Sequence, residues 1–245
     1  MELAPHIWLL LGTAALLVGI AKTAIGGLAT ISVAIFAFVM PARESTAALL
    51  LLLLVGDVYA VMSYRRDCDW SLLRHLIPGV LPGVLLGTLV LGAVDDPTLR
   101  RGIGIVLLTL VVLQLALMRA DLTAGTGWPW GVRAGTGIAA GFATMVANSA
   151  GAVMAIYLVG QGVEKRRFLG TAAWFFLGVN LSKVPFSAGL GLIDRSMVVQ
   201  TLVLAPLVIV GGFLGVRLAR RLAQTSFDVT VLVASAFSAF VLVLG

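Results

Sequence analysis

The chain has 245 residues, of which 60% are hydrophobic and 11% charged, and it carries a net charge of +6. A soluble domain holds about 25% charged residues, so this composition excludes a water-soluble globule and calls for a bilayer as solvent, with an apolar outer surface. The basic residues lie mostly at the ends of apolar segments, without a basic run interleaved with aromatics, which fits topology signals and lipid headgroup contacts and not nucleic acid.

The N-terminus, MELAPH, lacks a positively charged leader, so no cleaved signal peptide is expected. Apolar stretches then follow at approximately 5–40, 46–64, 76–94, 102–118, 130–160, 168–193, 196–216 and 226–244. A span needs about 20 residues, so 5–40 and 130–160 are too long for single perpendicular helices. Each is interrupted near its middle. The first interruption is Lys22-Thr23-Ala24-Ile25-Gly26-Gly27 and the second Ala147-Asn148-Ser149-Ala150-Gly151. Glycine costs about 1 kcal/mol against alanine inside a helix, and Asn and Ser compete for backbone hydrogen bonds. Each long stretch is therefore a tilted broken helix or a hairpin of two shorter helices.

The two halves repeat. Thr46-Ala47-Ala48 recurs as Thr171-Ala172-Ala173, 125 positions later; Gly83 and Gly87 recur as Gly211 and Gly215, 128 later; the breaks at Gly27 and Gly151 lie 124 apart. Three similar offsets indicate an internal duplication, residues 1–120 and 121–245. Charge then chooses between broken spans and hairpins. With two hairpins, one side holds Arg65, Arg66, Arg74, Arg119, Arg133, Lys165, Arg166, Arg167, Arg217, Arg220 and Arg221, and the other only Arg43, Arg100, Arg101 and Arg195. With two single crossings the division is nine to six. The positive-inside rule prefers eleven to four. The expected fold is thus an all-α polytopic membrane protein of two repeats, each a broken or re-entrant segment plus three transmembrane helices, the second repeat inverted against the first.

Lys22 and Lys183 are the two basic residues inside apolar stretches. A lysine at the bilayer centre costs about 2.5–3.5 kcal/mol, so each needs a partner, a ligand or a path to the headgroups. Lys183 has the last option if it lies near a segment end. Asp57 is the one acidic residue well inside a span, either a structural partner for a lysine or a group whose protonation couples to transport. The helix ends at the breaks free backbone N–H groups, and glycine lets backbone approach closely, which makes a small-anion site. Lys22, Thr23, Gly26, Gly27, Asn148, Ser149 and Gly151 are its candidate residues. Thr171, Asn180 and Lys183 join them from 170–186, with Asn180 and Lys183 on one helix face and Pro185 expected to kink or end that helix. Gly79, Gly83, Gly87, Gly211 and Gly215 read instead as close helix contacts. His6 and His75 flank segments, and Cys68, the single cysteine, sits in a charged loop; neither makes a metal cluster.

AKTAIGG at 21–27, ANSAG at 147–151 and GTAAWFFLGVNLSKVPF at 170–186, taken in order, resemble the TauE/SafE family of sulfite and organosulfur-anion exporters over essentially the whole chain. The family is glycine-rich in the first break, where this chain keeps Gly26-Gly27 behind Lys22, so the identity of the anion stays open. The resemblance implies a multi-pass protein of the cell inner membrane that exports or exchanges small anions such as sulfite or organosulfonates, with proton coupling as one option. Expected partners are the anion, membrane lipids and, as an option, a second copy in a homodimer, with neither cofactor nor nucleic acid. The alternatives are a channel-like pore and, more weakly, an intramembrane enzyme, but HExxH, GxSxG, a P-loop and paired intramembrane acids are absent. In the two-hairpin arrangement a cysteine introduced beside Arg43 is labelled by impermeant reagents from the external side; labelling from the cytoplasm alone refutes it.

Overall fold

The computed structural model describes residues 4–99, 101–103, 105, 106, 109 and 130–223. The expected segments 102–118 (in most part) and 226–244, with Arg100 and Arg119, lie outside the described residues. What is described is all-helical: α1 (Pro5–Thr23), a single 3-10 turn (Gly26–Leu28), α2 (Ala29–Val39), α3 (Ala42–Tyr64), α4 (Trp70–Ala93), α5 (Trp130–Ala147), α6 (Ala150–Gly160), α7 (Lys165–Gly189) and α8 (Arg195–Arg221). Four of these, α1, α3, α4 and α8, are long and apolar enough to cross a membrane.

Both long stretches break where the polar and glycine residues stand. α1 stops at Thr23, and α2 at 11 residues is only about 16 Å long. Ser32 Oγ donates to the Ala14 carbonyl at 2.9 Å. A bond between positions on either side of the break requires α2 to fold back along α1. The second break is an αL helix cap: Asn148 has φ 49°, its N–H returns to Thr144 O and the N–H of Ser149 to Ala143 O. Asparagine tolerates this left-handed conformation better than most residues, because its short side chain bonds locally.

Contacts along the helices give their directions. Tyr64 at the end of α3 donates through its hydroxyl to Thr23 O at the end of α1, and Gly56 lies against Lys22, so α1 and α3 run parallel. α7 runs opposite to α3, since Thr171 meets Asp69, Trp174 meets Arg65, and Asn180 meets Asp57. At the turn between α3 and α4 Asp69 caps α4, and the Ser71 hydroxyl and N–H hold its carboxyl below the usual range. Arg166 and Arg167 of α7 pair there with Asp67 and Asp69. The end of α8, with Arg217 one turn before the last-turn Arg220 and Arg221, lies at this same face, whereas Arg43 and Arg195 open helices at the other.

Two seams of glycine join the long helices. Gly79, Gly83 and Gly87 of α4 face Ala134, Ile138 and Met145 of α5, while Gly137 and Gly141 return the contact to Leu76 and Val80. Gly211, Gly212 and Gly215 of α8 face the α1–α3 side at Leu16, Tyr59 and Thr23, and Gly19 of α1 meets the backbone of Val208. Both seams match the small-residue contact expected from the spacing. Residue numbers rise together along each, so α4 and α5 are parallel, as are α1 and α8; α1 and α5 therefore enter from opposite faces. One expectation is corrected: Pro185 does not end α7, which continues to Gly189. Its missing N–H and ring are absorbed within the last turns, where the i−4 carbonyl loses only one donor.

The seams carry a prediction. A Cβ at Gly83 would overlap the Ile138 carbonyl oxygen, while one at Gly135 meets nothing. Gly83→Ala is expected to lower stability in detergent by about 1–3 kcal/mol and Gly135→Ala to leave it unchanged; equal thermal-unfolding midpoints for the two variants refute backbone contact at the seam.

Candidate functional site

The breaks meet. A Cβ on Gly151 would touch the carbonyl of Gly26 at 3.4 Å, so the turn before α2 and the first residues of α6 are in contact. Beside them is a small cavity of about 40 Å³ whose wall includes Lys22, Gly26, Thr144, Asn148, Gly151 and Asn180. By the measure in which one water needs about 10–15 Å³, this is room for about three water-sized groups. Neither Leu28 before α2 nor Ser149 before α6 makes a side-chain cap. The positive dipole ends of these two 11-residue helices lie at the break.

The buried charges form one chain of contacts. Lys22 Nζ lies 2.7 Å from Asp57 Oδ1, with side-chain exposures of 7% and 0%. The Lys22 ammonium also lies 4.2 Å from the ring centroid of Phe176, a cation–π contact. Asp57 Oδ2 accepts from Asn180 Nδ2 at 2.6 Å. Asn180 Oδ1 in turn accepts from Lys183 Nζ at 3.2 Å, and the same ammonium donates to Asn148 Oδ1 at 2.5 Å and Thr144 Oγ1 at 3.2 Å. Asn148 Nδ2 ends the chain on Thr46 O. Lys183 has three donors and three oxygen acceptors, the complement an ammonium needs. Of the two lysines only Lys22 touches the carboxylate; Lys183 is held by neutral oxygens of Thr144, Asn148 and Asn180.

The structure brings Lys22, Gly26, Asn148, Gly151, Asn180, Lys183 and Asp57 together at the break. Lys183 is 1% exposed, which rules out the headgroup path its segment allowed. Asp57 pairs with Lys22. Thr23 points elsewhere: its hydroxyl donates to Gly19 O and Gly212 O in the α1–α8 seam, in space that Gly215 leaves by having no side chain. Thr171 also stands apart, accepting from the N–H of Asp69 at the turn between α3 and α4. Ser149 is buried before α6, and Gly27 lies in the 3-10 turn.

Three contributors were not singled out in the sequence. Thr144 lies four residues before Asn148, and Phe176 four before Asn180, so helical spacing places each on the face of a named residue. Gly56 precedes Asp57; a Cβ there would press on Lys22 Cγ at 3.0 Å, so glycine makes room for the lysine stem. Among the described residues no group of three His, Cys, Asp or Glu is placed to hold a metal ion.

Removing one member of the ion pair tests its weight. Asp57→Asn leaves Lys22 buried without a carboxylate and is expected to cost about 3–5 kcal/mol. Asp57→Asn combined with Lys22→Gln is expected to recover most of that loss, measured by unfolding in lipid-like detergent. A double variant as unstable as the single one refutes the pairing.

The model of the family described as sulfite exporter TauE/SafE matches residues 11–242 of the chain. No curated protein and no solved structure gives a match.

Proposed function

The chain belongs to the sulfite exporter TauE/SafE family, and on that premise we propose that it is a secondary transporter that moves a small anion by alternating access through the cavity between its two breaks. Membership makes it a multi-pass membrane transporter of anions and not an enzyme. The observation that carries the finer reading is the polar cluster at the break: Lys22, Asn148 and Asn180 line a cavity of about 40 Å³, Asp57 and Lys183 lie directly behind them, and two short helices begin beside it. A monoanion there brings the formal sum to zero and gains from both helix dipoles. The volume favours a compact oxyanion, such as sulfite, over a bulky organosulfonate.

The two halves, residues 1–120 and 121–245, act in this reading as inverted repeats. Their first helices pair with each other's fourth, α1 with α8 and α5 with α4, while the third helices α3 and α7 run antiparallel at the centre. Inverted repeats with discontinuous helices meeting at midplane supply two equivalent conformations, one open to each side. Asp57 is the one carboxylate in the network, so proton coupling, where it occurs, runs through its partition between Lys22 and a proton. The arginine-rich end is the cytoplasmic face. Lys22, Gly26, Asn148 and Gly151 are the contacts proposed for the anion, and Lys183 positions Asn148 and Asn180. Of the remaining residues that the sequence marks as candidates, Thr23 and Thr171 serve the frame.

The test is uptake into proteoliposomes from a panel of sulfite, sulfonates, carboxylates and neutral solutes, with and without a pH gradient. The expected outcome is saturable sulfite flux, inhibited by other compact oxyanions and reduced more than tenfold in Lys183→Gln. Flux that fails to saturate supports a channel-like pore, and no competition by any anion sinks the transporter reading.

A further inference from the structure

A second cavity, of about 620 Å³, opens at the arginine-rich end between the ends of α3, α7 and α8. Lys165, Arg166, Arg217 and Arg220 stand on its wall, and no acidic residue is among the residues that line it. Basic residues at span ends ordinarily anchor the protein to headgroups, each projecting outward by itself. Here cations from two helices converge on one concavity. Arg166 shares its charge with Asp67 at 3.1 Å, and Lys165 donates to Leu222 O. Arg217 is laid on the ring of Phe213, 3.8 Å from its centroid. This stacking holds the guanidinium against the wall instead of letting it extend into the lipid surface. A concave surface of one sign, walled by low-dielectric protein, focuses the field and raises the local concentration of the opposite charge.

The cavity also has a floor. Leu169, 4% exposed, is the one described residue that lines both this cavity and the small one at the breaks. Tyr64, on the same wall, ties its hydroxyl to the last carbonyl of α1. Leu169 thus borders both the basic vestibule and the cavity on the Lys22 side of the buried site.

We propose that this vestibule is an anion-collecting antechamber, which binds compact oxyanions through Arg217 and Arg220 and passes them to the buried site when Leu169 moves aside. The idea rests on the transport reading for its purpose but not for its test. The phosphate of an anionic lipid shares the chemistry of a free oxyanion, so the experiment separates the two.

The probe is a cysteine reagent. Cys68 is the only native thiol, and burial beside Asp69 pushes it up to about 11, so it reacts slowly and can be replaced in a Cys68→Ser background. Val216→Cys places a thiol on the vestibule wall. The full chain in phosphatidylcholine nanodiscs is modified with anionic and cationic methanethiosulfonates. The anionic reagent is expected to react faster, and Arg217→Gln with Arg220→Gln to lower the anionic-to-cationic rate ratio about tenfold, a difference that shrinks in molar salt. An unchanged ratio overturns the proposal. Phosphatidylglycerol added to the nanodiscs lowers the ratio through its surface potential to the same extent in the arginine variants if the site takes free anions. A fall on its addition that the arginine variants abolish assigns the vestibule to a lipid headgroup and overturns it as well. For the partition, Ala172→Cys in the buried cavity is expected to label at least about tenfold faster with Leu169→Ala, and to a lesser degree with Leu169→Val should the alanine variant not fold. No acceleration in a folded variant refutes the gate. None of these readouts needs flux, so a chain that labels as expected but carries no sulfite sinks the transport reading alone, and the reverse result sinks the antechamber alone.

Discussion

Lys22, Asp57 and Lys183 are ions removed from water, and that one cost organises the packing around them. Each buried ion loses several kcal/mol of hydration and recovers it only through close partners in good geometry. No single helix can supply those partners. α1 brings Lys22, α3 brings Asp57, α5 brings Thr144 and Asn148, and α7 brings Phe176, Asn180 and Lys183. Satisfying three charges therefore fixes four helices at one depth. It also accounts for local features that look costly in isolation. Gly56 weakens α3 by lacking a side chain, yet only glycine gives the Lys22 stem its place. Asn148 adopts a left-handed backbone, yet that turn aims its amide between Lys183 and Thr46.

The glycine seams do the complementary work. Inside a bilayer there is no hydrophobic force between apolar helices, so association relies on close packing. The α1–α8 and α4–α5 seams bring backbones together where a single methyl group would collide. Each seam makes a rigid pair out of one broken stretch and one uninterrupted span. Between the pairs the contacts are of another kind: side-chain hydrogen bonds, an ion contact and a cavity. A molecule built this way changes shape at its polar centre before it changes shape at its seams. Each seam takes one helix from each half, so the division allows one seam pair to move against the other and not one half against the other.

Much of this was legible in the sequence, and the reasons differ by residue. The breaks at 22–27 and 147–151 were visible because polar and glycine residues interrupt runs that lipid would otherwise select to be apolar. The glycine contacts were visible because small residues four apart have few other uses. Lys22, Lys183 and Asp57 stood out because a charge in an apolar stretch is expensive wherever it points. Direction was harder to read. Thr23 and Thr171 belong to the same motifs as Lys22 and Asn180, but a threonine hydroxyl can return to its own helix carbonyl or meet a neighbouring helix at little cost. Sequence marks such a residue without saying which way it faces, and both face the frame. Thr144 and Phe176 were missed for the converse reason: neither is unusual in an apolar helix, and only their spacing from Asn148 and Asn180 ties them to the network. Of the two expectations for Pro185, the ending of the helix is overturned, since the helix runs on to Gly189.

The charge on the network bears on how a transporter of this design would be driven. A ligand shifts an equilibrium between two conformations only through unequal affinity for them. In the proposed transport reading, with two lysines to one aspartate, the polar centre would bind an anion best when both helix N-termini face it together, which is the arrangement in which Gly26 and Gly151 touch. Separating the tips toward either face divides the dipoles and admits water, and both changes weaken the hold on the anion. The occupied state is then the compact one, and release follows from rehydration of Lys22 and Asp57 on the side that opens. In this scheme the Lys22–Asp57 contact serves as the internal counter-charge: without it two adjacent ammonium groups would hold an anion too tightly to let it leave, and with it a single net charge remains, enough to select an anion and weak enough to release one.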